Sequence, residues 1–500
     1  MEMRTRAGLT AKRSDGAEKK LKPWHGLGAA LLIVGIAVGG EACQGGDVLV
    51  PESGPIFLEV DEATGGFDSQ DLYGGPEYAL PHGPKDFNDL LAQAAAKVPG
   101  GFGGAYKDTD GSIVVWLKDL RKTGVALDSL MAMQPTEVKS YHRVEAMTVR
   151  FVEAAYDWRD LNRWFKLAAR QWRAGVVFMD IDDRTNRVYV GVSSAGLAAG
   201  LRADIEAAGV PSGALVIGVE SPIVPAIGPL AGIGAKTDRT NVTLGQTVDP
   251  PYFAGFKAEG ASTNGPCTMG PIVRLTSTRN GYLTASHCTQ RIYSDDGRDH
   301  FQATMNDNNI GQEYDDAPST SHPHCDVTAL CRRSDAALIE FDDATDAARG
   351  HIARIASLGS TALTAAADDE WLVADADPAC PFGLVETACF PAVVGTELQY
   401  VGYVSGWQKG TLDHTCALSG YVIGVTAYQI RCSDIVTGTS EPGNSGAPVF
   451  ELTSHPREVN LWGILHGQTE DGTQWTVSRI EGIRLDLDRS FNVLADLRVY

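Results

Sequence analysis

Basic residues are scarce in this sequence. Lys and Arg number 42 against 63 Asp and Glu, so the formal net charge of the 500-residue chain is -21 at pH 7. Proteins that bind nucleic acid neutralise its phosphates with clustered Lys and Arg. We therefore expect no nucleic acid among the partners, and we read the acidic balance as a source of solubility in water.

Cysteine is nearly absent from the first half of the chain. Of nine cysteines, Cys43 stands alone and the other eight follow residue 260. An even set confined to one part of an exported chain predicts a disulfide framework, although eight cysteines allow 105 pairings. The eight are Cys267, Cys288, Cys325, Cys331, Cys380, Cys389, Cys416 and Cys432. The only metal alternative is His322, His324 and Cys325, and we prefer a disulfide there, with no metal and no cofactor.

The N-terminal hydrophobic run is too short to span a bilayer comfortably. It covers residues 26–40 and follows a basic segment, whereas a transmembrane helix needs about 20 apolar residues. This pattern predicts a signal peptide over residues 1–43. Small residues at Gly40 and Ala42 suit cleavage, and Cys43 is either lipidated, as in bacterial lipoproteins, or lost or left free. We expect an exported, bacterial protein, for which a lipid on Cys43 would be the membrane attachment.

Composition divides the remaining chain into four parts. Residues 44–83 are acidic and rich in Gly and Pro, which indicates a flexible linker. Residues 84–225 mix helical and strand patterns without cysteine and predict an α+β region, and residues 226–260 form a second linker in which a processing cut is plausible. Within the α+β region we predict helices over 87–97, 138–155 and 197–208, and strands over 112–117 and 187–192.

Residues 261–500 carry short apolar runs separated by turn residues, the pattern of a β-sandwich or barrel. Three motifs stand out there. An apolar run ends at His287, which Cys288 follows at once; Asp335 precedes the apolar run 336–339; and Ser445 lies between glycines in the turn 442–447. A serine hydroxyl needs a base to become a nucleophile, and an imidazole oriented by a carboxylate is such a base.

These motifs are similar to the three signatures of the chymotrypsin-like serine proteases, and they follow that family's order of His, Asp and Ser. The resemblance covers residues 255–500. Within the family, the sequence is most similar to the bacterial branch of streptogrisins and alpha-lytic protease, which carries an N-terminal pro-region. It implies an all-β catalytic domain, a double six-stranded antiparallel β-barrel, preceded by a smaller α+β region. That region would be a pro-segment that assists folding or blocks the cleft.

The resemblance also implies the role of each residue. Ser445 is the expected nucleophile, His287 the general base and Asp335 the residue that orients it, while the backbone amides of Gly443 and Ser445 form the oxyanion hole. Asp326 and Asp342 are rivals for the acid role, but neither has the same sequence context. The expected activity is a serine endopeptidase acting on proteins or peptides, as a monomer.

The expected disulfides rest on the resemblance and on proximity in the sequence. The resemblance pairs Cys267 with Cys288 and Cys416 with Cys432. Proximity then pairs Cys325 with Cys331 and Cys380 with Cys389.

Specificity is predicted from position within the family pattern. Thr439 would lie at the base of the primary pocket, where a carboxylate would select Lys or Arg, so a trypsin-like preference is disfavoured. His466 suggests a preference for glutamate, but its register differs by one residue, which on a strand turns a side chain to the opposite face. Asn444 replaces the Asp with which trypsin-like zymogens bind a new N-terminal ammonium, so we expect no such activation.

Two other functions have partial support in the sequence. The sequence around Ser445 nearly matches the nucleophile elbow of lipases, but only 55 residues follow it, too few for the Asp and His of that fold. A catalytically inactive protease fold that serves as a surface-binding lipoprotein is the remaining alternative, and the full set of three residues argues against it.

Overall fold

The computed structural model describes most of the chain beyond residue 86, within a compact unit that spans residues 65–500. The residues described are 87–132, 148–226, 243–246, 250–260, 265–276, 278–302, 308–320, 322, 324–363, 370–375, 382–385, 388–390, 394–453 and 455–487. The predicted signal peptide, Cys43 and the 44–83 linker lie outside them. No helix among the described residues has the length and apolar character needed to cross a membrane.

Helices are few and concentrated in the N-terminal region. The helix with the most buried residues begins after Asp157. The Asp157 side chain accepts a hydrogen bond from the Asp160 amide and so caps the first turn. Its apolar stripe, which includes Trp158 and Phe165, faces the core. The described helices are α1 (Phe87–Ala95), α2 (Thr123–Ala132), α3 (Trp158–Ala169), α4 (Ala195–Ala207) and α5 (Ile480–Asp486).

Seven strands are described in the N-terminal region. They are β1 (Phe102–Lys107), β2 (Ile113–Leu117), β3 (Val149–Glu153), β4 (Val176–Asp182), β5 (Arg187–Val192), β6 (Leu215–Val219) and β7 (Ile223–Pro225). Strands β1, β2 and β3 form one sheet. The helix predicted over 138–155 is wrong where the chain is described, because β3 pairs in parallel with β2 there.

Strands also predominate among the described residues from 250 onward. Those up to residue 341 are β8 (Tyr252–Ala254), β9 (Lys257–Gly260), β10 (Cys267–Thr268), β11 (Ile272–Arg274), β12 (Asn280–Thr284), β13 (Asp299–Gln302), β14 (Asn308–Asp315), β15 (Leu330–Arg332) and β16 (Ala337–Phe341). Those that follow are β17 (Ala347–Ala353), β18 (Glu370–Asp375), β19 (Phe382–Val385), β20 (Ala388–Phe390), β21 (Glu397–Gly402), β22 (Gly406–Ile423), β23 (Thr426–Thr437), β24 (Pro448–Leu452), β25 (Glu458–Thr469) and β26 (Gln474–Arg479).

Two antiparallel β units hold most of the described strands of the C-terminal part. The first is a seven-stranded sheet in the order β10-β9-β13-β14-β16-β12-β11. In the second, β21, β22, β23, β26, β25 and β24 pair in turn, and β24 pairs back with β21. This closes a six-stranded barrel, whose interior is filled by side chains such as Leu398, Val436 and Trp475. The all-β fold class with two barrel-like halves is confirmed, although the first half has seven strands.

The α+β region is joined to the barrel by a shared sheet. Strand β22 pairs with β4 at Leu418 and Met179, and β4, β5 and β6 continue the sheet outward. Strand β7, the end of that region, pairs with β25 of the barrel. The stretch predicted as a linker, 226–260, contains β8 and β9, and β9 belongs to the first sheet. The barrel pattern therefore begins before residue 261.

Candidate active site

His287 lies at the end of β12 on a single 3-10 turn, Ser286–Cys288, in the first sheet. The disulfide between Cys267 and Cys288 ties this turn to β10. The imidazole is fully buried. The end of β12 and the disulfide at Cys288 together fix the position of the His287 ring.

A buried charged pair supports the same turn from behind. Ser286 Oγ donates to Asp316 Oδ2 across 2.7 Å, and Arg332 donates to Asp316 Oδ1 across 2.6 Å. Burial raises the pKa of Asp316 to about 6, although the Arg332 charge opposes that rise. Arg332 also donates to the Ala336 carbonyl, next to Asp335. The network therefore links the histidine turn to the segment that carries the acid.

Asp335 precedes β16 and faces His287. Its Oδ2 lies 2.5 Å from His287 Nδ1, and its Oδ1 accepts the His287 backbone amide across 3.1 Å. Tyr421 of β22 donates a further hydrogen bond to Oδ2 across 2.7 Å. The Asp335 amide donates to Ser478 Oγ across 2.8 Å. Both side chains of the His287–Asp335 pair are fully buried.

These contacts decide the ionisation of Asp335. Burial by itself would raise the pKa of the carboxyl group, but the charge and hydrogen bond of His287, with a hydrogen bond from Tyr421, hold the pKa well below its usual range. Asp335 is therefore a carboxylate at neutral pH. A carboxylate on Nδ1 leaves Nε2 as the acceptor nitrogen of a neutral ring.

Ser445 lies in the tight turn before β24. His287 Nε2 is 2.7 Å from Ser445 Oγ, which completes a row of hydrogen bonds from Asp335. Gly443 takes a φ of 109°, and a Cβ there would come within 2.5 Å of a Val404 methyl carbon. Only glycine fits this conformation and this space. From β10, the Thr268 amide and hydroxyl donate to the carbonyls of Ser445 and Gly443 and so fix the turn.

Asn444 is held as a neutral hydrogen-bonding group. Its side-chain amide donates to Ser405 Oγ across 2.8 Å and to the Glu441 carbonyl across 2.9 Å, and its oxygen accepts the Ser405 amide. The side chain is fully buried. These partners satisfy Asn444 within its own loop.

The backbone amides of Gly443 and Ser445 converge on one oxygen atom. Gly443 N lies 2.5 Å and Ser445 N 3.4 Å from the carbonyl oxygen of Ala226. Ala226 directly follows β7, so this oxygen comes from the N-terminal region. The two amides predicted as an oxyanion hole thus share an acceptor.

The two predicted specificity residues differ in exposure and in the contacts of their side chains. Thr439 is exposed, and its hydroxyl donates to Gln408 Oε1 across 3.4 Å. His466 is fully buried, with Nδ1 3.0 Å from Ser478 Oγ and Nε2 3.4 Å from Ser433 Oγ. Burial lowers the pKa of His466 to about 4, so the ring is neutral at physiological pH. Its ring thus faces two serine hydroxyls, and Ser478 Oγ also accepts the Asp335 amide.

Three of the four expected disulfides are present, namely Cys267–Cys288, Cys325–Cys331 and Cys416–Cys432. Of the fourth, Cys380–Cys389, Cys380 lies outside the described residues and Cys389 is described only as part of the backbone of β20. Cys325 is committed to a disulfide, so the metal alternative with His322 and His324 loses its sulfur ligand. Cys267, His287 and Cys288 bring their ligand atoms together, but the two sulfurs are bonded to each other.

The rival acids are placed away from the histidine. Asp326 accepts hydrogen bonds from the amide and hydroxyl of Thr328, and Asp342 is exposed. Sequence reasoning missed three residues that contact the site: Tyr421, Ser478 and Ala226. All three lie on segments distant in sequence from the residues they contact, so no local pattern identifies them.

No protein-family model and no curated protein matches the chain. Solved structures of bacterial serine proteases align with about half of it. Thermobifida fusca protease A shares 15% identity at a TM-score of 0.32, and Nocardiopsis protease 13% at 0.32. Cellulomonas bogoriensis chymotrypsin shares 16% at 0.31. Each alignment covers 49% of this chain and 98% of the other. Likeness at this level transfers neither activity nor site residues to the chain.

Proposed function

We propose that the chain is a serine endopeptidase that cleaves peptide bonds through an acyl-enzyme on Ser445. The observation that carries this proposal is the buried row of hydrogen bonds from Asp335 through His287 to Ser445, at 2.5 and 2.7 Å. A purely structural row of this kind would not require two backbone amides aimed at one carbonyl oxygen beside the hydroxyl. Their presence favours acyl transfer over a binding role.

The first half of the proposed reaction forms the acyl-enzyme. Ser445 Oγ attacks the substrate carbonyl carbon while His287 Nε2 takes its proton. Asp335 keeps Nδ1 protonated and stabilises the imidazolium that results. Tyr421 and the His287 amide hold the carboxylate in place. The imidazolium then gives its proton to the departing amine as the peptide bond breaks.

The negative charge of the tetrahedral intermediate falls on the former carbonyl oxygen. The amides of Gly443 and Ser445 are positioned to receive it, and each such donor contributes roughly 2.7–4 kcal/mol to lowering the barrier. A water molecule, deprotonated by His287, then attacks the acyl-enzyme and regenerates Ser445. No metal or other cofactor has a role in this scheme.

The proposal extends to location. Three disulfides among the described residues fit an oxidising compartment. Together with the signal-peptide pattern before residue 43, they support export from a bacterial cell. Release and anchoring through a lipid on Cys43 are both compatible with the sequence, and mass spectrometry of the mature N-terminus distinguishes them. We propose protein or peptide substrates and a monomeric enzyme.

A fluorophosphonate probe tests the activity. It should label Ser445 in the full-length chain and should not label the Ser445→Ala variant. Because the Ala226 carbonyl occupies the amides of Gly443 and Ser445, the probe should also be applied to a variant in which residues 223–226 are replaced by Gly-Ser-Gly-Ser. If neither chain with an intact Ser445 is labelled, or if Ser445→Ala is labelled equally, the protease proposal fails and an inactive binding protein becomes the better interpretation.

A further inference from the structure

We propose that residues 222–226 are the enzyme's own first substrate, and that Ser445 cuts the peptide bond after Ala226. The same placement assigns the primary pocket a preference for a small apolar residue. This inference rests on the proposed serine endopeptidase activity. It identifies the processing site and the specificity of that activity from the segment that occupies the cleft.

The position of the Ala226 carbonyl is that of a scissile bond. Its oxygen accepts from the amides of Gly443 and Ser445 at 2.5 and 3.4 Å. An oxyanion hole binds the oxygen of the carbonyl under attack. Ser445 Oγ, already 2.7 Å from His287 Nε2, belongs to the same residue as one of these donors. The Ala226 carbonyl is therefore the group presented to the nucleophile.

The residues before Ala226 lie along the barrel as an added strand. Antiparallel to β25, Pro225 is opposite Gly467, Val224 opposite Gln468 and Ile223 opposite Thr469. The Glu470 amide extends the pairing by donating to the Pro222 carbonyl across 2.9 Å. Adding a strand to a sheet edge gives a bound peptide affinity through its backbone and leaves specificity to pockets for its side chains.

Gly467 makes room for this strand. A Cβ there would come within 3.1 Å of the Val224 carbonyl oxygen and 3.2 Å of Ile223 Cγ2. A residue without a side chain lets the segment approach β25 closely. Ile223 itself is buried in an apolar cluster that includes Tyr421 and Tyr428 of the barrel and Phe178 of the N-terminal region. This cluster makes a second apolar subsite, three residues before Ala226.

The Ala226 side chain shows what the primary pocket accepts. It is fully buried in an apolar cluster with Tyr400, Leu465 and Trp475. A carboxylate or ammonium group placed there would lose its water without gaining an opposite charge from these neighbours. Because the buried, neutral His466 ring faces the hydroxyls of Ser433 and Ser478, it offers glutamate no positive charge. The pocket thus selects Ala or a residue of similar size.

The cut follows the proposed chemistry with no added reagent except water. Ser445 Oγ bonds to the Ala226 carbonyl carbon, its proton passes to His287, and the bond to the nitrogen of Ile227 breaks as that nitrogen takes the proton. Water then splits the ester and leaves Ala226 with a free carboxylate. Ile227 becomes the N-terminus of the barrel chain, and Ser445 is regenerated.

The first experiment follows the full-length chain by intact mass and N-terminal sequencing. We expect the wild type to yield a fragment that begins at Ile227, and Ser445→Ala to stay uncut. Ala226→Ser should be cut at the same bond, whereas Ala226→Asp should be cut there at least about 100-fold more slowly, because the pocket would bury its charge. An uncut wild type, a different cleavage site, or the same cut in Ser445→Ala would overturn the inference.

A second experiment is independent of whether the Ala226 variants fold. The wild type is given Ser-Pro-Ile-Val-Pro-Ala-p-nitroanilide and its counterparts ending in Glu, Lys and Phe. The Ala peptide should have a kcat/KM at least about 100-fold above the Glu and Lys peptides, with Phe also disfavoured. Faster hydrolysis of any counterpart contradicts the pocket assignment.

The two proposals fail in different ways. If the probe labels Ser445 but the chain is not cut after Ala226, the protease stands and the substrate assignment falls. If the probe labels neither the natural chain nor the Gly-Ser variant, the protease itself falls.

Discussion

At the scale of single residues, Asp335 shows how burial and partners compete. Burial favours the neutral acid, yet His287 and the Tyr421 hydroxyl keep the pKa depressed. A depressed pKa adds stability that is present above the unfolded value of about 3.9 and is lost only as the pH falls through the lower folded value. The carboxylate therefore persists over the whole range in which a neutral His287 can act as a base.

A substitution at Tyr421 tests how much its hydrogen bond to the Asp335 carboxylate matters. Tyr421→Phe deletes the 2.7 Å hydrogen bond to Asp335 but keeps the ring. A hydrogen bond to a charged group contributes about 1.5 kcal/mol or more, which corresponds to roughly a tenfold lower rate. We expect kcat on the Ala peptide to fall about tenfold with KM nearly unchanged, because a positioning residue acts on the base and not on substrate binding.

Tyr428→Phe is the matched control for that variant. Its ring stacks on Tyr421 with 5.5 Å between centroids, in the same cluster. The Asp335 carboxylate accepts from the Tyr421 hydroxyl and not from Tyr428 in the hydrogen bonds described above. An equal fall in kcat for both variants, or a rise in KM alone for Tyr421→Phe, would show that packing and not the hydrogen bond matters.

The residue-level signals in the sequence are local ones. His287, Asp335 and Ser445 each sit at a strand end or turn with its own short motif, so their neighbourhood could be identified without knowing the fold. Ala226 has no such motif. Its place at the two amides depends on the pairing of β7 with β25, more than 230 residues later in the chain. The pocket roles of Thr439 and His466 stay predictions, because sequence spacing alone does not fix which side chains reach a pocket.

At the scale of elements, the disulfides differ in the loops they close. Cys267–Cys288 spans 21 residues, and Cys325–Cys331 spans 6. In the chain-entropy account, stabilisation grows with 1.5RT times the logarithm of loop length, so the larger loop contributes about 1 kcal/mol more. All four cysteines are buried to a similar degree, which makes the packing losses comparable.

Urea unfolding of two double variants checks this difference. In the Ser445→Ala chain, which cannot digest itself, Cys267→Ala/Cys288→Ala should lower the free energy of unfolding more than Cys325→Ala/Cys331→Ala, by about 1 kcal/mol. Equal losses, or a larger loss from the short loop, would mean that local packing outweighs chain entropy here.

Helices and strands were predicted correctly where the hydrophobic residues followed one clear helical or strand periodicity. The predicted helices at 87–97 and 197–208 and the strands at 112–117 and 187–192 correspond to α1, α4, β2 and β5. The predicted helix over 138–155 failed at β3, where Val149, Phe151 and Val152 pair with β2. Residues with high β propensity pair when a partner strand is available, and such a tertiary contact overrides a local helical pattern.

At the scale of the whole molecule, the N-terminal region and the barrel are joined by buried polar groups as well as by a shared sheet. His414 of β22 lies 2.9 Å from Asp180 of β4. Burial opposes the charge on His414, but the hydrogen bond and charge of Asp180, with Asp413 and Asp182 nearby, raise its pKa. Burial also raises the pKa of Asp180. Both groups therefore bind protons more tightly in the joined state.

Both raised pKa values make the attachment of the N-terminal region weaker as the pH rises. A raised His pKa contributes stability that is complete below the unfolded value of about 6.5 and is lost as the pH rises through the folded value. The raised pKa of Asp180 acts in the same direction. We expect the attachment of the N-terminal region to weaken as the medium becomes alkaline, and so to release the segment that fills the cleft more readily after the cut.

Hydrogen exchange of the β4 and β22 amides in the uncut Ser445→Ala chain measures this attachment. Protection should fall between pH 6 and pH 9, after correction for the intrinsic exchange rate, and His414→Gln should lower protection at pH 6 by about 2 kcal/mol, the value of a hydrogen bond to a charged partner. The variant should also flatten the pH dependence. His455→Gln removes a histidine whose side chain is mostly exposed and is the control. A steep pH dependence that survives in His414→Gln would assign the effect to other groups, with the buried Asp183 next in line because burial raises its pKa as well.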